Sequence, residues 1–256
     1  MAGDLNDQHA LVTGAGQGIG EAIARQLLAR GARVTVLGRR AETLRKLVDE
    51  FPGQCRMELA DVAQESEVKR AFGQTQKALG AINILVNNAG QAQSAPFLKM
   101  DAAAWQNMLA VNLTGTMLCM QQALPAMAAA GYGRIVNVAS TAGLAGYAYV
   151  AAYCAAKHGV VGLTRSLALE FAKKGVTINA VCPGYTETEI VRESIARVVE
   201  KTGRTPEQAM AEFVKGNPQG RLVQPQEVAD AVLWLCGAGA GAVTGQAIAV
   251  AGGEVM

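Results

Sequence analysis

Histidine is nearly missing from this sequence: His9 and His158 are the two among 256 residues. That is too few for a histidine-based metal centre, so both read as structural or surface residues and no metal is expected. The cysteines are odd in number and scattered, at Cys55, Cys119, Cys154, Cys182 and Cys236. They lack the paired spacing of zinc sites and disulfide frameworks and read as reduced thiols in the cytosol. No uninterrupted apolar stretch reaches the ~18 residues that span a bilayer. The opening Met1-Ala-Gly-Asp-Leu-Asn-Asp7 carries acids where a secretory signal needs positive charge. Charge of one sign is also scarce. The formal net charge of +2 is spread without a basic run, which leaves no electrostatic footprint for nucleic acid or an anionic membrane. A cytoplasmic protein with a small soluble partner is expected.

Apolar residues, by contrast, make up 50% of the chain and charged ones 17%, enough to bury one large core at this length. Short β-branched runs at 9–13, 32–37, 82–87, 134–139, 176–181 and 246–250 alternate with stretches of helical periodicity. Strand-helix alternation predicts a parallel sheet, and the lack of polar/apolar alternation within the runs fits burial on both faces. The expected architecture is α/β: residues 1–256 as a single Rossmann-type domain, a doubly wound sheet of six or seven strands with helices on both faces and ligands at the carboxyl ends of the strands. Two segments, about 101–130 and 150–174, read as helices apolar on more than one face, which predicts a homo-oligomer, dimer or tetramer. Between 185 and 222 two short amphipathic pieces, separated by Thr202-Gly-Arg-Thr-Pro206 and closed by Gly216-Asn-Pro218, read as a small helical substrate lid.

After the first strand comes Thr13-Gly14-Ala15-Gly16-Gln17-Gly18-Ile19-Gly20, followed at once by a helical segment. Glycines admit a pyrophosphate close to the backbone, and the helix N-terminus offers free N–H groups and a positive dipole end. The end of the second strand decides which dinucleotide is held, because an acid there receives the adenosine ribose hydroxyls. Here it is Gly38, followed by Arg39 and Arg40. A carboxylate that would repel a 2′-phosphate is missing and two guanidinium groups able to clamp one are present, so NADP(H) is the expected preference, with NAD(H) possible. Further along, Tyr153 and Lys157 stand four apart in a helical run, on one face and about one turn apart. An ammonium beside a phenol stabilises the phenolate and makes the tyrosine usable as a general acid/base.

Taken together, these residues resemble the short-chain dehydrogenase/reductase family over nearly the whole chain. The glycine loop, Asn87-Asn88-Ala89-Gly90, Asn112 in Val-Asn-Leu-Thr, Ser140 thirteen residues before Tyr153, YxxxK, and Pro183-Gly184 followed by Thr188 occur in family order. The resemblance implies a catalytic tetrad of Asn112, Ser140, Tyr153 and Lys157. In it Tyr153 exchanges a proton with the substrate oxygen, Ser140 hydrogen-bonds that oxygen, Lys157 holds the nicotinamide ribose and depresses the Tyr153 pKa, and Asn112 anchors a water leading from Lys157. It also implies a dinucleotide held by Gly14, Gln17, Gly18, Ile19, Gly20, Gly38, Arg39, Arg40, Asp61, Val62, Asn88, Ala89, Gly90, Tyr153, Lys157, Pro183, Gly184, Thr186 and Thr188. Asp61-Val62 is implied as the adenine contact and Asn87 as a strut of the sheet.

The pocket is expected from Gln91–Phe97, Leu144–Tyr149 and the lid around Tyr185, Ile190 and Val191, which carry no ring of charge. That points to a carbonyl on a mostly apolar body. The segment GRLVQPQEVADAVLWL and the closing Gly-Gly are similar to 3-oxoacyl-thioester reductases and polyketide-type ketoreductases. Reduction of a 3-oxoacyl thioester on CoA or a carrier protein, or of a related ketone, with NADPH is the leading expectation. Arg192 and Arg197 are candidates for meeting a carrier's phosphates. The alternatives are oxidation of a 3-hydroxy acid, hydroxysteroid or other cyclic secondary alcohol and, more remotely, a non-catalytic nucleotide sensor.

Overall fold

A computed structural model describes residues 5–256; Asp4, part of the acidic N-terminal reading, lies outside the described residues. The chain runs β1 (His9–Thr13), α1 (Gly18–Ala29), β2 (Arg33–Gly38), α2 (Ala41–Glu50), β3 (Cys55–Leu59), α3 (Glu65–Leu79), β4 (Ile84–Asn87), α4 (Ala102–Leu109), α5 (Gly115–Ala130), β5 (Gly133–Val138), α6 (Ala151–Phe171), β6 (Val176–Pro183), α7 (Glu189–Thr202), α8 (Pro206–Val214), α9 (Pro225–Cys236) and β7 (Ala247–Val250). The strands form one sheet in the order β3-β2-β1-β4-β5-β6-β7, every neighbouring pair parallel. This is the doubly wound architecture expected. Strand order reverses between β1 and β4, and the crevice beyond their carboxyl ends is where such sheets bind ligands.

β1, β4, β5 and β6 are buried along their whole length, as strands covered on both faces should be. On one face Ile23 and Leu27 of α1 pack with Val228 and Val232 of α9. On the other, Phe72 of α3 packs with Leu118 and Met120 of α5. A polar thread crosses this apolar interior: Asn87 Nδ2 donates to Asn137 Oδ1 at 2.8 Å, and Asn137 Nδ2 to Thr164 Oγ1 at 2.9 Å. It ties β4 to β5 and β5 to α6, which places Asn87 as the strut expected.

Two elements differ from the sequence reading. β3 was not among the six runs: Arg56 and Glu58 interrupt it, and their side chains pair with each other at 2.6 Å. It is an edge strand held by β2 alone, so it needs apolar residues on fewer sides. The helix expected over 101–130 is interrupted by a π-turn at Ala110–Thr114. Asn112 causes the break chemically, since its Nδ2 donates to Met108 O at 3.0 Å and to Gln91 O at 2.9 Å. Side-chain competition for main-chain carbonyls of this kind widens a helical turn. The segment between β6 and β7 holds α7 and α8 where the lid was expected; Thr205 caps α8 reciprocally with Gln208.

Candidate active site

A cavity of about 410 Å³ opens at the carboxyl ends of the strands, and every residue expected to hold a dinucleotide or to react lines it except Gly20. Gly20 lies beneath. A Cβ there would stand 2.3 Å from Gly14 O and 2.4 Å from Asn88 Nδ2, so its role is to let α1 approach the loop. Gly14 itself has φ +65° and would drive a Cβ to 2.8 Å from Ala89 Cα. A residue not singled out from the sequence, Thr13, fastens the two loops together: its Oγ1 accepts from Asn88 N and Ala89 N, both at 3.0 Å. Asn88 Nδ2 returns a bond to Gly14 O at 3.1 Å. The result is a cradle in which a Cβ added at Gly14 or Gly20 meets backbone, leaving room for a pyrophosphate seated on a helix N-terminus.

At the far end of the cradle Arg40 Nη2 donates to Gln17 Oε1, and Arg39 Nη1 lies 3.7 Å from Asp61 Oδ2. Gln17, which adds no charge of its own, thus aims a guanidinium. No acid replaces Gly38, where a Cβ would find only ordinary contact with Leu44 at 3.6 Å.

β5 and α6 bring together the side chains expected to react. Lys157 is buried at 4% exposure, and its Nζ donates to Val138 O at 2.8 Å and stands 5.6 Å from the centre of the Tyr153 ring. Burial pulls the Lys157 ammonium down to about 8, against a smaller raising influence of Cys182. The Tyr153 phenol is pushed up to about 12 by burial, and the hydrogen bond from Ser140 lowers it only in part. The sequence reading expected Lys157 to depress this pKa. Here burial outweighs the lowering influence of Ser140, and the Lys157 ammonium is hydrogen-bonded to Val138 O. Ser140 Oγ also accepts from Ala142 N at 3.1 Å, which fixes the hydroxyl at the head of its turn.

Asn112, 1% exposed, sits in the π-turn with both amide hydrogens spent on Gln91 and Met108, while its Oδ1 accepts from Gln91 N at 3.2 Å. One acceptor lone pair remains for the water-anchoring role expected of it. On the other wall Pro183 ends β6, Gly184 N donates to Val250 O at 3.1 Å, Thr186 Oγ1 donates to Gly184 O at 3.0 Å, and Thr188 stands at the N-cap position of α7 beside Gly18, without a side-chain cap bond.

Beyond Tyr153 the cavity is walled by Gln91, Tyr147, Val150, Tyr185, Val191 and Phe213; Tyr185 and Phe213 meet edge to face at 5.0 Å. Among the described residues no cation lines this end. Phe97 and Tyr149, expected in the pocket, lie outside it at 68% and 66% exposure. The Ala95 N to Tyr149 O bond at 2.8 Å ties their loops together. The Ile190 side chain lies outside the described residues. Arg192 pairs with Glu187 at 3.2 Å and Arg197 with Glu193 at 3.8 Å, so both candidate phosphate contacts are neutralised locally. Among the described residues no cluster of three His, Cys, Asp or Glu could hold a metal, and no helix is long and apolar enough to cross a membrane.

The short chain dehydrogenase family model matches residues 8–198. A Streptomyces coelicolor protein named "Putative ketoacyl reductase" is 41% identical over 95% of each chain. The D-beta-hydroxybutyrate dehydrogenase of Rhizobium meliloti is 36% identical over 95% of this chain and 97% of its own. Among solved structures, a single-residue variant of an actinorhodin polyketide ketoreductase with NADPH superposes with a TM-score of 0.93 at 39% identity, covering 99% of both chains.

Proposed function

The chain belongs to the short-chain dehydrogenase family, and from that premise we propose that it reduces an uncharged ketone, foremost a 3-oxoacyl thioester, to the secondary alcohol with NADPH. At the coarser level it is an NAD(P)-dependent oxidoreductase interconverting a ketone and an alcohol. One observation carries the mechanism: Tyr153, Ser140 and Lys157 converge in the same cavity that the glycine cradle opens into. When bound, a nicotinamide dinucleotide supplies the hydride. The cradle of Gly14, Gly18 and Ile19 takes its pyrophosphate, Asp61 and Val62 its adenine, Asn88–Gly90 and Lys157 its nicotinamide ribose, and Pro183, Gly184, Thr186 and Thr188 its carboxamide. Gly38, Arg39 and Arg40 favour a 2′-phosphate there.

The chain's own residues manage the proton. The Tyr153 phenol carries its proton at neutral pH and donates it to the carbonyl oxygen as charge develops. Ser140 hydrogen-bonds the same oxygen and stabilises that charge. Lys157 fixes the ribose side of the site and stays within reach to stabilise a phenolate once the proton has left. Asn112 acts by place, stapling Gln91 to the π-turn so that the wall next to Gly90 holds its shape.

Tyr153→Phe is expected to cut turnover by at least ~10²-fold with dinucleotide binding retained; undiminished turnover would overturn the assignment. Acetoacetyl-CoA tests the thioester. No turnover of it while plain ketones react would leave only the broader ketone reading. The uncharged substrate end argues against a free 3-hydroxy acid and leaves oxidation of a cyclic secondary alcohol as the second reading, which the same assay run in reverse decides.

For assembly we infer a homo-oligomer, dimer or tetramer, through α5 and α6, whose shared outer groove is lined by Met117, Leu124, Leu163 and Leu167 and flanked by Leu169 at 83% exposure. Light scattering that gives a monomer at micromolar concentration rejects it. Five free cysteines support a reducing, cytoplasmic location.

A further inference from the structure

The mechanism makes no use of the last turn of the chain, yet that turn reaches the substrate end of the cavity. Past β7 the backbone presses against the segment that closes the lid: a Cβ on Gly252 would stand 2.1 Å from Asn217 Oδ1, and one on Gly253 3.3 Å from Pro218. Asn217 is in turn locked, its Nδ2 donating to Arg221 O at 2.8 Å and its Oδ1 accepting from Gln219 N at 2.8 Å. Glu254, next in line, accepts a hydrogen bond from the Tyr147 hydroxyl at 2.6 Å on Oε1. Its Oε2 lies so close to Gly184 that a Cβ there would be 2.7 Å away. The Tyr147 oxygen also engages Thr141, the residue after Ser140.

The last turn therefore touches three segments that surround the ketone-binding end: Glu254 bonds the β5–α6 loop through Tyr147 and packs against Gly184 at the exit of β6, while Gly252 and Gly253 pack against the close of the lid. A half-buried phenol whose proton goes to a carboxylate is held in one rotamer, because a charge-assisted bond is about twice as strong as a neutral one. Tyr147 lines the cavity and Glu254 does not. Resting on the ketone-reducing reading above, we propose that Glu254 is a positioning residue which, through Tyr147, sets the wall of the substrate cavity and so tunes affinity for the ketone without touching the reacting atoms.

Kinetics with NADPH and acetoacetyl-CoA or cyclohexanone, read together with hydrogen exchange over residues 141–150, test this. Glu254→Leu and Tyr147→Phe are each expected to raise the ketone KM about ten-fold, with kcat within about three-fold and the NADPH KM within about two-fold. The double variant should be no worse than either single, since both cut the same bond. Glu254→Gln keeps an acceptor and should stay within about three-fold of the wild-type KM. Amides of the 141–150 loop should exchange about ten-fold faster in Glu254→Leu and Tyr147→Phe alike.

Unchanged exchange in Glu254→Leu overturns the proposal whatever the kinetics, as does a double variant whose KM effects multiply. Failure of the underlying chemistry shows elsewhere, as a Tyr153→Phe protein that keeps its full rate.

Discussion

Replacing Gly38 by Asp isolates the electrostatic basis of dinucleotide choice. The position tolerates a side chain: its φ is not left-handed, and a Cβ would sit 3.6 Å from the Leu44 methyl, an ordinary contact. The new carboxylate would stand where the sheet's second strand ends, beside Arg39 and Arg40. Two unit charges about 4 Å apart interact by about 1 kcal/mol in bulk water and about 4 kcal/mol at an effective dielectric of about 20. Arg39 is 68% exposed there, so the lower part of that range applies, about 1–3 kcal/mol. That corresponds to about a 5–150-fold loss in kcat/KM for NADPH. NADH loses nothing to repulsion and gains an acceptor for its ribose hydroxyls, so the NADPH/NADH ratio of kcat/KM should fall by at least ~10² in total. The melting temperature should move by no more than about 2 °C, as for other surface changes away from special features. Steady-state kinetics with both cofactors on one preparation, with a melting curve as control, provide the measurement. A folded variant whose ratio is unchanged refutes the reasoning, since no steric effect remains to hide behind.

Three further outcomes follow from the packing. Gly20→Ala places a methyl 2.3 Å from Gly14 O and 2.4 Å from Asn88 Nδ2, the two groups that hold the glycine loop to Asn88, so dinucleotide affinity by fluorescence titration should drop at least ~10-fold, with a loss of about 1–3 kcal/mol in urea unfolding. Asn137→Ala strands Asn87 Nδ2 inside the core and removes the tie to Thr164, whose hydroxyl keeps its bond to Val160 O, and should cost about 1–3 kcal/mol by the same measurement. His9, whose ring meets Gly80 O and Thr35 Oγ1 at 3.0 Å each, has its pKa held below the ordinary 6.5 chiefly by burial. The unfolded chain therefore takes up a proton first as pH falls, and this part of the stability is complete above 6.5 and is lost below it. The melting temperature should decline from pH 7 to pH 5 more steeply in the wild type than in His9→Gln.

Much of this molecule was legible in its residues because the signals are local. Glycines at fixed offsets between a strand and a helix, and a tyrosine and lysine one turn apart, need no partner to be recognised. Strands buried on both faces announce themselves as apolar runs, which is why β1, β4 and β6 were legible and the edge strand β3, with Arg56 and Glu58 in it, was not. The π-turn escaped because its cause is a loop: nothing about residues 110–114 reveals that Gln91 will compete for the Asn112 carboxamide. The direction of the Tyr153 shift escaped because spacing shows that Lys157 is near but not how deeply the phenol is buried, and burial is the main cause of the shift. The Tyr147–Glu254 bond joins residues 107 apart and has no sequence signal at all.

Thr164 lies two helical turns beyond Lys157, and its hydroxyl is caught by Asn137 in the middle of the sheet. A cylinder gripped at Lys157 and again at Thr164 cannot roll about its own axis, so the azimuth of α6, and with it the compass bearing of the Tyr153 ring, is settled deep in the interior rather than at the mouth of the cleft. Substitutions that reshape the entrance can therefore change what is admitted while leaving the aim of that ring untouched.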